Sequence, residues 1–350
     1  MYTLRELSEK FKVDSNYRGE VKTDVNTAPL TTMKVGGNAP LLLEPSDEKS
    51  FIYAADVLDA MCVGSFILGG GSNIIISDEG FEDVVISLKS INQISASVCK
   101  QKDKRIKKLI NSYKARYIDV PVPVTVHIGA GCTWGKVLSW CRDRAMYGFE
   151  AFSGLPGTAG GALFMNAQCF GHRACDNLLS VTYYEEGKVK KYTFSAGDWE
   201  YKKSPFQNSR KVILSADFVV LCSDRDFIGN PQMVNTRIRK NINDLCSEAV
   251  EERKDRGHFK KPSAGSVFKN DVEHGIIAGK LIDECGLKGR IFGGAQVAPW
   301  HANFIINNGF ATAEDIKRLI DNIKSEVLRK KGYNLECEVR FCGLWKKTEW

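Results

Sequence analysis

The sequence predicts an α+β protein with two or three domains. The chain has 350 residues, more than one typical hydrophobic core organises. Apolar runs of strand length alternate with segments of helical spacing, and glycine-rich turns separate them. The pattern changes near Asp226, where a long charged helix begins. We therefore expect a domain boundary close to that residue.

Residues up to about Leu88 predict one compact α+β unit. The segment 1–21 is charged with a helical pattern, and residues 30–45 predict a strand pair around Gly36 and Gly37. A helix is expected over 46–61, with Ser46 as its cap. Two apolar runs then flank a triple glycine, and DVVISL predicts a further short strand.

The next part of the chain predicts a second α+β unit, which extends to about residue 225. TVHIGAG predicts a strand, and the helix that follows has Thr133 as its cap. SVTYYEEGKVKKYTF predicts a hairpin that turns at Glu186 and Gly187. KVILSADFVVLC is typical of a buried strand.

The C-terminal part begins with a charged helix that is expected to end near Arg256. Pro-Ser-Ala-Gly at 262–265 is a turn signal before a strand SVF, and HGIIAGKLIDECG predicts a helix ended by Gly286. HANFIINN predicts a strand. A long helix opens with the capping box from Thr312 to Asp315 and closes at Gly332, before a last strand NLECEVRFCG.

Residues 96–120 stand apart because they are strongly basic. Eight lysines and arginines lie between Lys100 and Arg116, against the single acid Asp103. Such a run can bind nucleic acid. We favour a solvated surface insertion, because Tyr113 is the one interleaved aromatic residue and no nucleic-acid-binding fold is recognisable. We expect a solvent-exposed excursion that the chemistry does not need.

Composition limits the function classes. The formal charge of +7 is compatible with anionic small molecules but is too weak alone to indicate nucleic acid. We expect a cytoplasmic protein, because no signal-peptide core and no membrane-length apolar run occur. The eleven cysteines contain no C-x-x-C pair and are expected to be reduced, with a disulfide framework or zinc site as the less favoured alternative. The five histidines show no ligand spacing, so no metal is expected.

Two glycine-rich segments predict backbone sites for an anion. In LGGGSN, Leu68 to Asn73, glycines would let the backbone turn its N–H groups toward a phosphate, although for this segment alone a tight strand connection is the favoured explanation. SGLPGTAGGALFMN, Ser153 to Asn166, has Pro156 fixing a turn and several glycines leaving bare backbone. Two such segments, about ninety residues apart, suggest one long diphosphate cofactor held between two subdomains.

Six motifs stand in the order found in the UDP-N-acetylenolpyruvoylglucosamine reductase family, which the chain resembles from about Asn26 to Gly343. They are TMKVGGNAP, LGGGSNIIISDEGF, SGLPGTAGGALFMNA, YKKSPF, AGSVFKN and EVRFCG. The chain resembles the shorter subtype, since residues 222–260 leave no room for the extra lobe and tyrosine loop of the other. The resemblance implies a vanillyl-alcohol-oxidase-type (PCMH-type) FAD-binding domain over 1–225, with subdomains of about 1–90 and 91–225. It implies a C-terminal α+β substrate-binding domain over 226–350.

The resemblance also implies an activity. Hydride would pass from NADPH through N5 of a non-covalent FAD to the enolpyruvyl group of UDP-N-acetylglucosamine enolpyruvate, giving UDP-N-acetylmuramate for peptidoglycan. We expect a monomer without nucleic-acid or membrane partners. The alternatives are another non-covalent FAD oxidoreductase of this cofactor-binding fold with a different substrate, or a nucleic-acid-binding protein that uses the basic insertion.

Site residues follow from the motifs by the same resemblance. The implied FAD contacts are Leu68, Gly69, Gly70, Gly71, Ser72, Asn73, Gly154, Leu155, Pro156, Gly157, Gly160, Gly161 and Arg340. The implied substrate contacts are Tyr201, Asn166, Gly265, Lys269 and Asn270.

Three residues are implied to be catalytic. Ser266 matches the proton donor to the substrate carbon, and Glu338 matches the carboxyl group that hydrogen-bonds the intermediate. Lys202 stands where the family has an arginine, so the charge is kept but the bidentate fork is lost. We favour Lys202 acting as a point charge. The alternatives are replacement by Lys203 or another arginine, or impaired activity.

Overall fold

The computed structural model describes residues 3–100, 104–114, 121–222 and 236–345. These residues contain eight α-helices: α1 (Leu4–Val13), α2 (Glu48–Ala60), α3 (Lys104–Lys114), α4 (Trp134–Asp143), α5 (Ala159–Phe164), α6 (Thr236–Asp255), α7 (Ala278–Glu284) and α8 (Ala313–Lys331). Short 3₁₀ helices occur at Ala28–Leu30, Glu150–Phe152 and Ala196–Asp198.

Eighteen strands lie in the same described residues, and their mixture with the helices confirms the predicted α+β class. They are β1 (Gly19–Asn26), β2 (Asn38–Pro45), β3 (Ser65–Leu68), β4 (Ile74–Ile76), β5 (Val84–Ser87), β6 (Ile94–Val98), β7 (Val122–Gly129), β8 (Met146–Tyr147), β9 (Gln168–Cys169), β10 (His172–Arg173), β11 (Leu178–Glu185), β12 (Lys188–Thr193), β13 (Val212–Cys222), β14 (Ser263–Ser266), β15 (Ile291–Phe292), β16 (Ala295–Val297), β17 (Phe304–Asn307) and β18 (Arg340–Cys342).

The chain divides into two units that are each discontinuous in sequence. The first unit comprises Met1–Pro45, Tyr53–Ser87 and Arg253–Trp350, and the second comprises Ser46–Ile52 and Leu88–Glu252. The predicted subdomain boundary near residue 90 therefore lies beside the boundary between Ser87 and Leu88. The assignment of an FAD-binding domain to 1–225 and a substrate-binding domain to 226–350 stays a prediction.

The first unit is built on three sheets. One has the strand order β1-β2-β5-β3, with β1 antiparallel to β2 and the other neighbours parallel. A second, fully antiparallel sheet has the order β14-β17-β16-β15. In the third, β18 pairs in parallel with β4. The last strand of the chain therefore pairs with the strand that follows the triple glycine.

The strand pair predicted around Gly36 and Gly37 is wrong. Residues 31–37 form no strand, and the antiparallel partner of β2 is β1. The N–H group of Gly37 instead donates to the carbonyl of Ser77 at 2.8 Å. A Cβ atom at Gly37 would lie 2.2 Å from the carbonyl oxygen of Asp78. The glycine is thus needed for a close backbone contact, which local sequence does not distinguish from a hairpin turn.

Helix α8 shows how local chemistry fixes the predicted bounds. Thr312 Oγ1 accepts the N–H of Asp315 at 3.0 Å, and Asp315 Oδ2 accepts the N–H of Thr312 at 3.1 Å, so the capping box is confirmed. Gly332 ends the helix at φ 67°, as predicted. One face of α8 is fully buried and consists of Ile316, Leu319, Ile320, Ile323 and Val327. This face contributes to the main core of the first unit.

Two helices differ in detail from the prediction. In α2, the capping side chain is Asp47 rather than Ser46, because Asp47 Oδ1 accepts the N–H of Ser50 at 2.8 Å. Helix α7 begins at Ala278 instead of His274, since Asp271 and Ile276 first form a β-bridge. For α6, the predicted start near Asp226 lies outside the described residues.

The second unit is built on a six-stranded antiparallel sheet. Its order is β12-β11-β13-β7-β6, and β8 pairs with the end of β13. The hairpin between β11 and β12 turns at Glu186 and Gly187, with φ values of 49° and 74°, which confirms the predicted two-residue turn. Thr133 caps α4 by accepting the N–H of Lys136 at 3.3 Å, also as predicted. A separate small hairpin joins β9 and β10.

The basic insertion is not a solvent-exposed excursion, so that expectation is wrong for its described residues. Helix α3 carries an apolar face with the spacing i, i+3, i+4, i+7, formed by Ile106, Leu109, Ile110 and Tyr113. Ile106 is 4% exposed and packs with Leu179 and Val219 of the sheet. Lys104, Lys107 and Lys108 occupy the exposed face of the helix. The high charge concealed an amphipathic pattern. Residues 101–103 and 115–120 of the insertion lie outside the described part of the chain.

Candidate active site

In the first unit, the structure brings together three predicted site segments. Asn73 closes LGGGSN, and its Nδ2 donates to the carbonyl oxygen of Glu338 at 3.0 Å. The carbonyl oxygen of Asn73 accepts the N–H of Arg340 at 3.0 Å. The N–H of Glu338 donates to the carbonyl oxygen of Val267 at 2.7 Å. Glu338 is therefore fixed between the glycine loop and the residue that follows Ser266.

Ser266 ends β14, where the predicted turn is instead a bulged strand. Ser263 and Ser266 both pair with β17, and Gly265 between them adopts φ 74°, so the pairing register shifts. Val267 and Phe268, the next two residues, are almost fully buried and anchor the segment. Ser266 itself is half-buried, and its hydroxyl has no hydrogen-bond partner among the described residues. The hydroxyl is thus available to an incoming group.

Asn303 holds the segment that carries Ser266, and sequence reasoning missed it. Its Oδ1 accepts the N–H of Phe268 and its Nδ2 donates to the carbonyl of Phe268, both at 2.9 Å. The carbonyl of Asn303 also accepts the N–H of Val267 at 2.9 Å. The sequence did contain a signal for this role, namely an asparagine within the predicted strand HANFIINN. Asn303 is buried, and a buried asparagine side chain needs hydrogen-bond partners.

The triple-glycine loop fits a phosphate-binding backbone. Gly71 adopts φ 60°, and a Cβ atom there would lie 2.2 Å from the carbonyl oxygen of Leu30. The carbonyl of Gly71 accepts the N–H of Thr32 at 3.0 Å, which fixes the loop. The N–H groups from Gly69 to Asn73 have no acceptor within the described ranges. Unpaired N–H groups on a rigid loop suit the diphosphate of FAD.

Two predicted substrate contacts of the first unit already have protein partners. The ammonium group of Lys269 pairs with the carboxylate of Glu336. Asn270 Oδ1 accepts the N–H of Ala278, the first residue of α7, at 3.1 Å. The amide group of Asn270 therefore has a structural task as a helix cap. Contacts of either side chain with a substrate stay a prediction.

In the second unit, the other glycine-rich segment separates into two parts. Gly154 and Gly157 adopt φ values of 72° and 101° and are not buried, with Leu155 and Pro156 between them. Gly160 is buried, and its N–H donates to the carbonyl of Ala130 at 2.9 Å. The N–H of Gly161 donates to Thr158 Oγ1, the cap of α5, at 3.3 Å.

The donors at Gly160 and Gly161 are thus already used. A contact between FAD and either glycine would therefore have to involve an atom other than the backbone N–H group. A Cβ atom at Gly160 would lie 2.7 Å from the Cβ of Ala130, so close packing accounts for this glycine.

The remaining predicted residues of the second unit gather at the other end of α5. Asn166, with φ 42°, follows the helix, and its Nδ2 donates to the carbonyl of Glu200 at 2.7 Å. Asn166 Oδ1 is buried and has no hydrogen-bond partner among the described residues. Glu200 directly precedes Tyr201 and Lys202, so Asn166 ties α5 to the loop that carries them.

Lys202 occupies a left-handed backbone conformation, with φ 58°. Its carbonyl accepts the Nε2 of Gln207 at 3.1 Å, and the same Nε2 donates to the carbonyl of Phe164 at 2.7 Å. Its ammonium nitrogen lies 5.8 Å from the centre of the Tyr201 ring. Such a backbone conformation costs about 1 kcal/mol or more for a residue with a Cβ, and at functional sites it persists where the surroundings enforce it. Sequence reasoning did not identify Gln207, whose side chain bonds the carbonyl of Lys202.

The cysteines and histidines show no second centre in the described residues. All eleven cysteines are free thiols. Burial raises the pKa of the Cys132 and Cys342 thiols to about 11, which keeps them protonated and unreactive at neutral pH. No group of three or more potential metal ligands occurs within the described ranges. None of the described helices has both the length and the apolar character needed to cross a membrane.

Comparison with known proteins gives one consistent result. Residues 257–342 match the family model for the C-terminal domain of UDP-N-acetylenolpyruvoylglucosamine reductase. A curated protein of that name from Treponema denticola is 39% identical, over 91% of this chain and 92% of its own length. The one from Treponema pallidum is 33% identical, over 92% and 93%. The crystal structure of UDP-N-acetylenolpyruvylglucosamine reductase from Thermus caldophilus matches with a TM-score of 0.64 at 25% identity, over 93% of this chain and 99% of that one.

Proposed function

The chain belongs to the UDP-N-acetylenolpyruvoylglucosamine reductase family, and we propose that Ser266, Glu338 and Lys202 carry its proton and charge chemistry. As a member it is an oxidoreductase of peptidoglycan synthesis that uses FAD and NADPH and acts on UDP-N-acetylglucosamine enolpyruvate. FAD, when bound, supplies hydride transfer from NADPH to the enolpyruvyl group. The observation that supports our residue roles best is the backbone hydrogen bonding that holds Glu338 between Asn73 and Val267.

We assign the diphosphate of FAD to the loop from Gly69 to Asn73. The reason is that its N–H groups have no acceptor among the residues the structure describes, together with the rigidity imposed at Gly71. Gly154 to Gly157 is the second segment proposed to contact FAD, because it is partly exposed and has no side chain at its two left-handed positions. Arg340 is assigned to FAD through its place directly beside Asn73.

Ser266 donates the proton in the proposed mechanism. Reduction of the enolpyruvyl double bond adds a hydride to one carbon and a proton to its neighbour, and the serine hydroxyl gives that proton. The resulting alkoxide then recovers a proton from water. A serine hydroxyl is a very weak acid, so the step requires a strongly basic carbanionic intermediate and nearby positive charge. The half-buried hydroxyl of Ser266, which has no hydrogen-bond partner in the described part of the chain, suits such a donor.

Glu338 and Lys202 stabilise the developing charge in this proposal. The carboxyl group of Glu338 hydrogen-bonds the acid end of the substrate, on a backbone that the structure holds at both sides. The ammonium group of Lys202 acts as a point charge, presented by the left-handed turn that Gln207 braces. Tyr201, Asn166, Gly265, Lys269 and Asn270 are proposed to contact the substrate. The enzyme is proposed to act as a monomer, which size-exclusion chromatography with light scattering would test.

Stopped-flow measurement of the two half-reactions tests the role of Ser266. In Ser266→Ala, reduction of bound FAD by NADPH should stay near wild type, because it does not use this proton. Oxidation of the reduced enzyme by the enolpyruvyl substrate should slow by about 10²-fold or more, the scale for losing a positioned acid. Glu338→Gln should show the same one-sided defect, and Lys202→Arg should keep or raise activity.

Ser263→Ala is the matched control, since Ser263 lies on the same strand and is also half-buried. It should leave both half-reactions unchanged. Equal slowing of both half-reactions in Ser266→Ala, with lowered flavin content, would show that this serine only shapes the site.

A further inference from the structure

The apolar face of α3 packs into the second unit at two places. Ile106 packs with Leu179 and Val219 of the sheet. Further along the helix, Tyr113 joins a cluster built on Tyr147, with the two ring centres 5.4 Å apart. The helix is also tied by Arg105, which donates to the carbonyl of Leu178 at 3.0 Å and lies 4.0 Å from the ring centre of Phe194. The described part of the insertion is thus a fixed part of this unit.

The hydroxyl group of Tyr113 reaches a buried carboxylate. It donates to Glu150 Oε2 at 3.2 Å, and the N–H of Gly148 donates to Glu150 Oε1 at 3.0 Å. Glu150 is 8% exposed, and burial raises the pKa of its carboxyl group against the lowering effect of these hydrogen bonds. Removing a hydrogen-bond donor from a buried carboxyl group costs free energy, because few donors are available to it. The hydrogen bond therefore constrains the positions of both Tyr113 and Glu150.

Glu150 begins the 3₁₀ helix Glu150–Phe152, which leads into the segment Gly154–Gly157. Its carbonyl accepts the N–H of Ser153 at 3.0 Å, and the carbonyl of Phe152 accepts the N–H of Leu155 at 2.9 Å. The Phe152 ring stacks on Trp134 with the ring centres 4.5 Å apart. Gly154 lies only four positions after Glu150 in the chain. The position of Gly154 to Gly157 therefore depends on the bonds made by Glu150.

We propose that Tyr113 and Glu150 are positioning residues for the Gly154–Gly157 segment, so that the basic insertion contributes to FAD affinity without touching the cofactor. This inference rests on the proposed function, in which that segment contacts FAD. A segment held in its binding conformation binds more tightly, because less ordering remains to be done on binding. The insertion acts through one tyrosine hydroxyl, and its exposed lysines play no part in this role.

Equilibrium dialysis of the holoenzyme against a series of FAD concentrations measures the effect. Tyr113→Phe and Glu150→Leu should each raise the dissociation constant for FAD about tenfold. The double variant should be no weaker than the worse single variant, because both changes break the same contact. Glu150→Gln should stay within about threefold, since an amide can accept from Gly148 and donate to the tyrosine oxygen. The visible absorption of bound FAD reports any change in its surroundings.

Tyr192→Phe is the matched control, because Tyr192 also bonds a carboxylate, Asp198, at 2.8 Å and lies in the same unit. It should leave FAD affinity unchanged. A dissociation constant within twofold of wild type for Tyr113→Phe, or losses that add in the double variant, would overturn the inference. If instead the wild-type protein fails to retain FAD at all, the proposed function itself is overturned. Thermal unfolding at saturating FAD checks each variant, and a drop in stability without any loss of affinity would also reject the positioning role.

Discussion

Replacing Gly160 by alanine should destabilise the second unit, whereas the same change at Gly161 should not. A Cβ atom at Gly160 would lie 2.7 Å from the Cβ of Ala130 and 3.0 Å from its carbonyl oxygen. At Gly161, the nearest atom to an added Cβ is Thr158 Oγ1 at 3.4 Å, which is ordinary van der Waals contact. The two glycines are adjacent in α5, so they form a matched pair.

The size of the effect follows from two opposing contributions. Overpacking a filled interior costs about 1–3 kcal/mol, and the upper end applies here because the Cβ of Ala130 cannot move without its backbone. Alanine is favoured over glycine in a helix by about 1 kcal/mol. We therefore expect a net loss of about 2 kcal/mol for Gly160→Ala and a gain of up to about 1 kcal/mol for Gly161→Ala.

Thermal unfolding followed by tryptophan fluorescence measures the difference, since Trp134 stacks on Phe152 in this unit. The melting temperature should fall by about 4–8 °C for Gly160→Ala and should hold or rise for Gly161→Ala. FAD affinity is a second readout. If Gly161 contacts FAD, as the family resemblance implies, Gly161→Ala weakens FAD binding without destabilising the protein. Equal changes in melting temperature for the two variants would refute the close-packing explanation of Gly160.

Three further predictions concern other parts of the molecule. Asn303→Ala should lower the free energy of unfolding, measured by urea denaturation, by about 3 kcal/mol, because it leaves the buried N–H and carbonyl of Phe268 unpaired. A loss below about 1 kcal/mol would contradict the role of Asn303 in holding this segment. Ile106→Ala should lower the free energy of unfolding by about 2–4 kcal/mol in the same assay, because Ile106 is buried. Lys107→Ala on the exposed face should change it by less than about 0.5 kcal/mol. Similar values for both variants would contradict the packing of α3 against the sheet.

The third concerns His127, whose pKa is raised by its hydrogen bond to Asp217. The stabilisation from protonated His127 is full below the ordinary pKa of 6.5 and is lost as the pH rises through the raised pKa. The melting temperature of wild type should therefore exceed that of His127→Gln most clearly at acidic pH, and a difference that does not depend on pH would reject this linkage.

Sequence patterns predicted the features of this fold that depend on neighbouring residues. The capping box at Thr312, the helix end at Gly332 and the turn at Glu186 and Gly187 are each specified within a few residues. The pairing of β1 with β2 and of β18 with β4 joins distant segments, and no local pattern identifies the partner.

The candidate site shows the same division. The motifs indicated Ser266 and Glu338 through family resemblance, but the residues that hold them, such as Asn303, became visible only through tertiary contacts. Glycines were the most ambiguous signal. Gly71 and Gly160 look alike in sequence, yet one shapes a loop with unpaired N–H groups and the other permits close packing with Ala130. The stripe Ile106, Leu109, Ile110 and Tyr113 was readable in the sequence but was outweighed by the count of positive charges.

The pairing of β18 with β4 sets an order of events during synthesis. The contact between Asn73 and Glu338 joins residues 265 apart, so β4 emerges from the ribosome long before its partner exists. At ordinary elongation rates this interval is roughly 15 to 50 s. Ser46–Ile52 precedes that interval and Leu88–Glu252 is completed within it, so the second unit can fold while β4 still lacks its partner strand. Strand β4 therefore stays open to misassociation until Arg340–Cys342 has been synthesised and can pair with it.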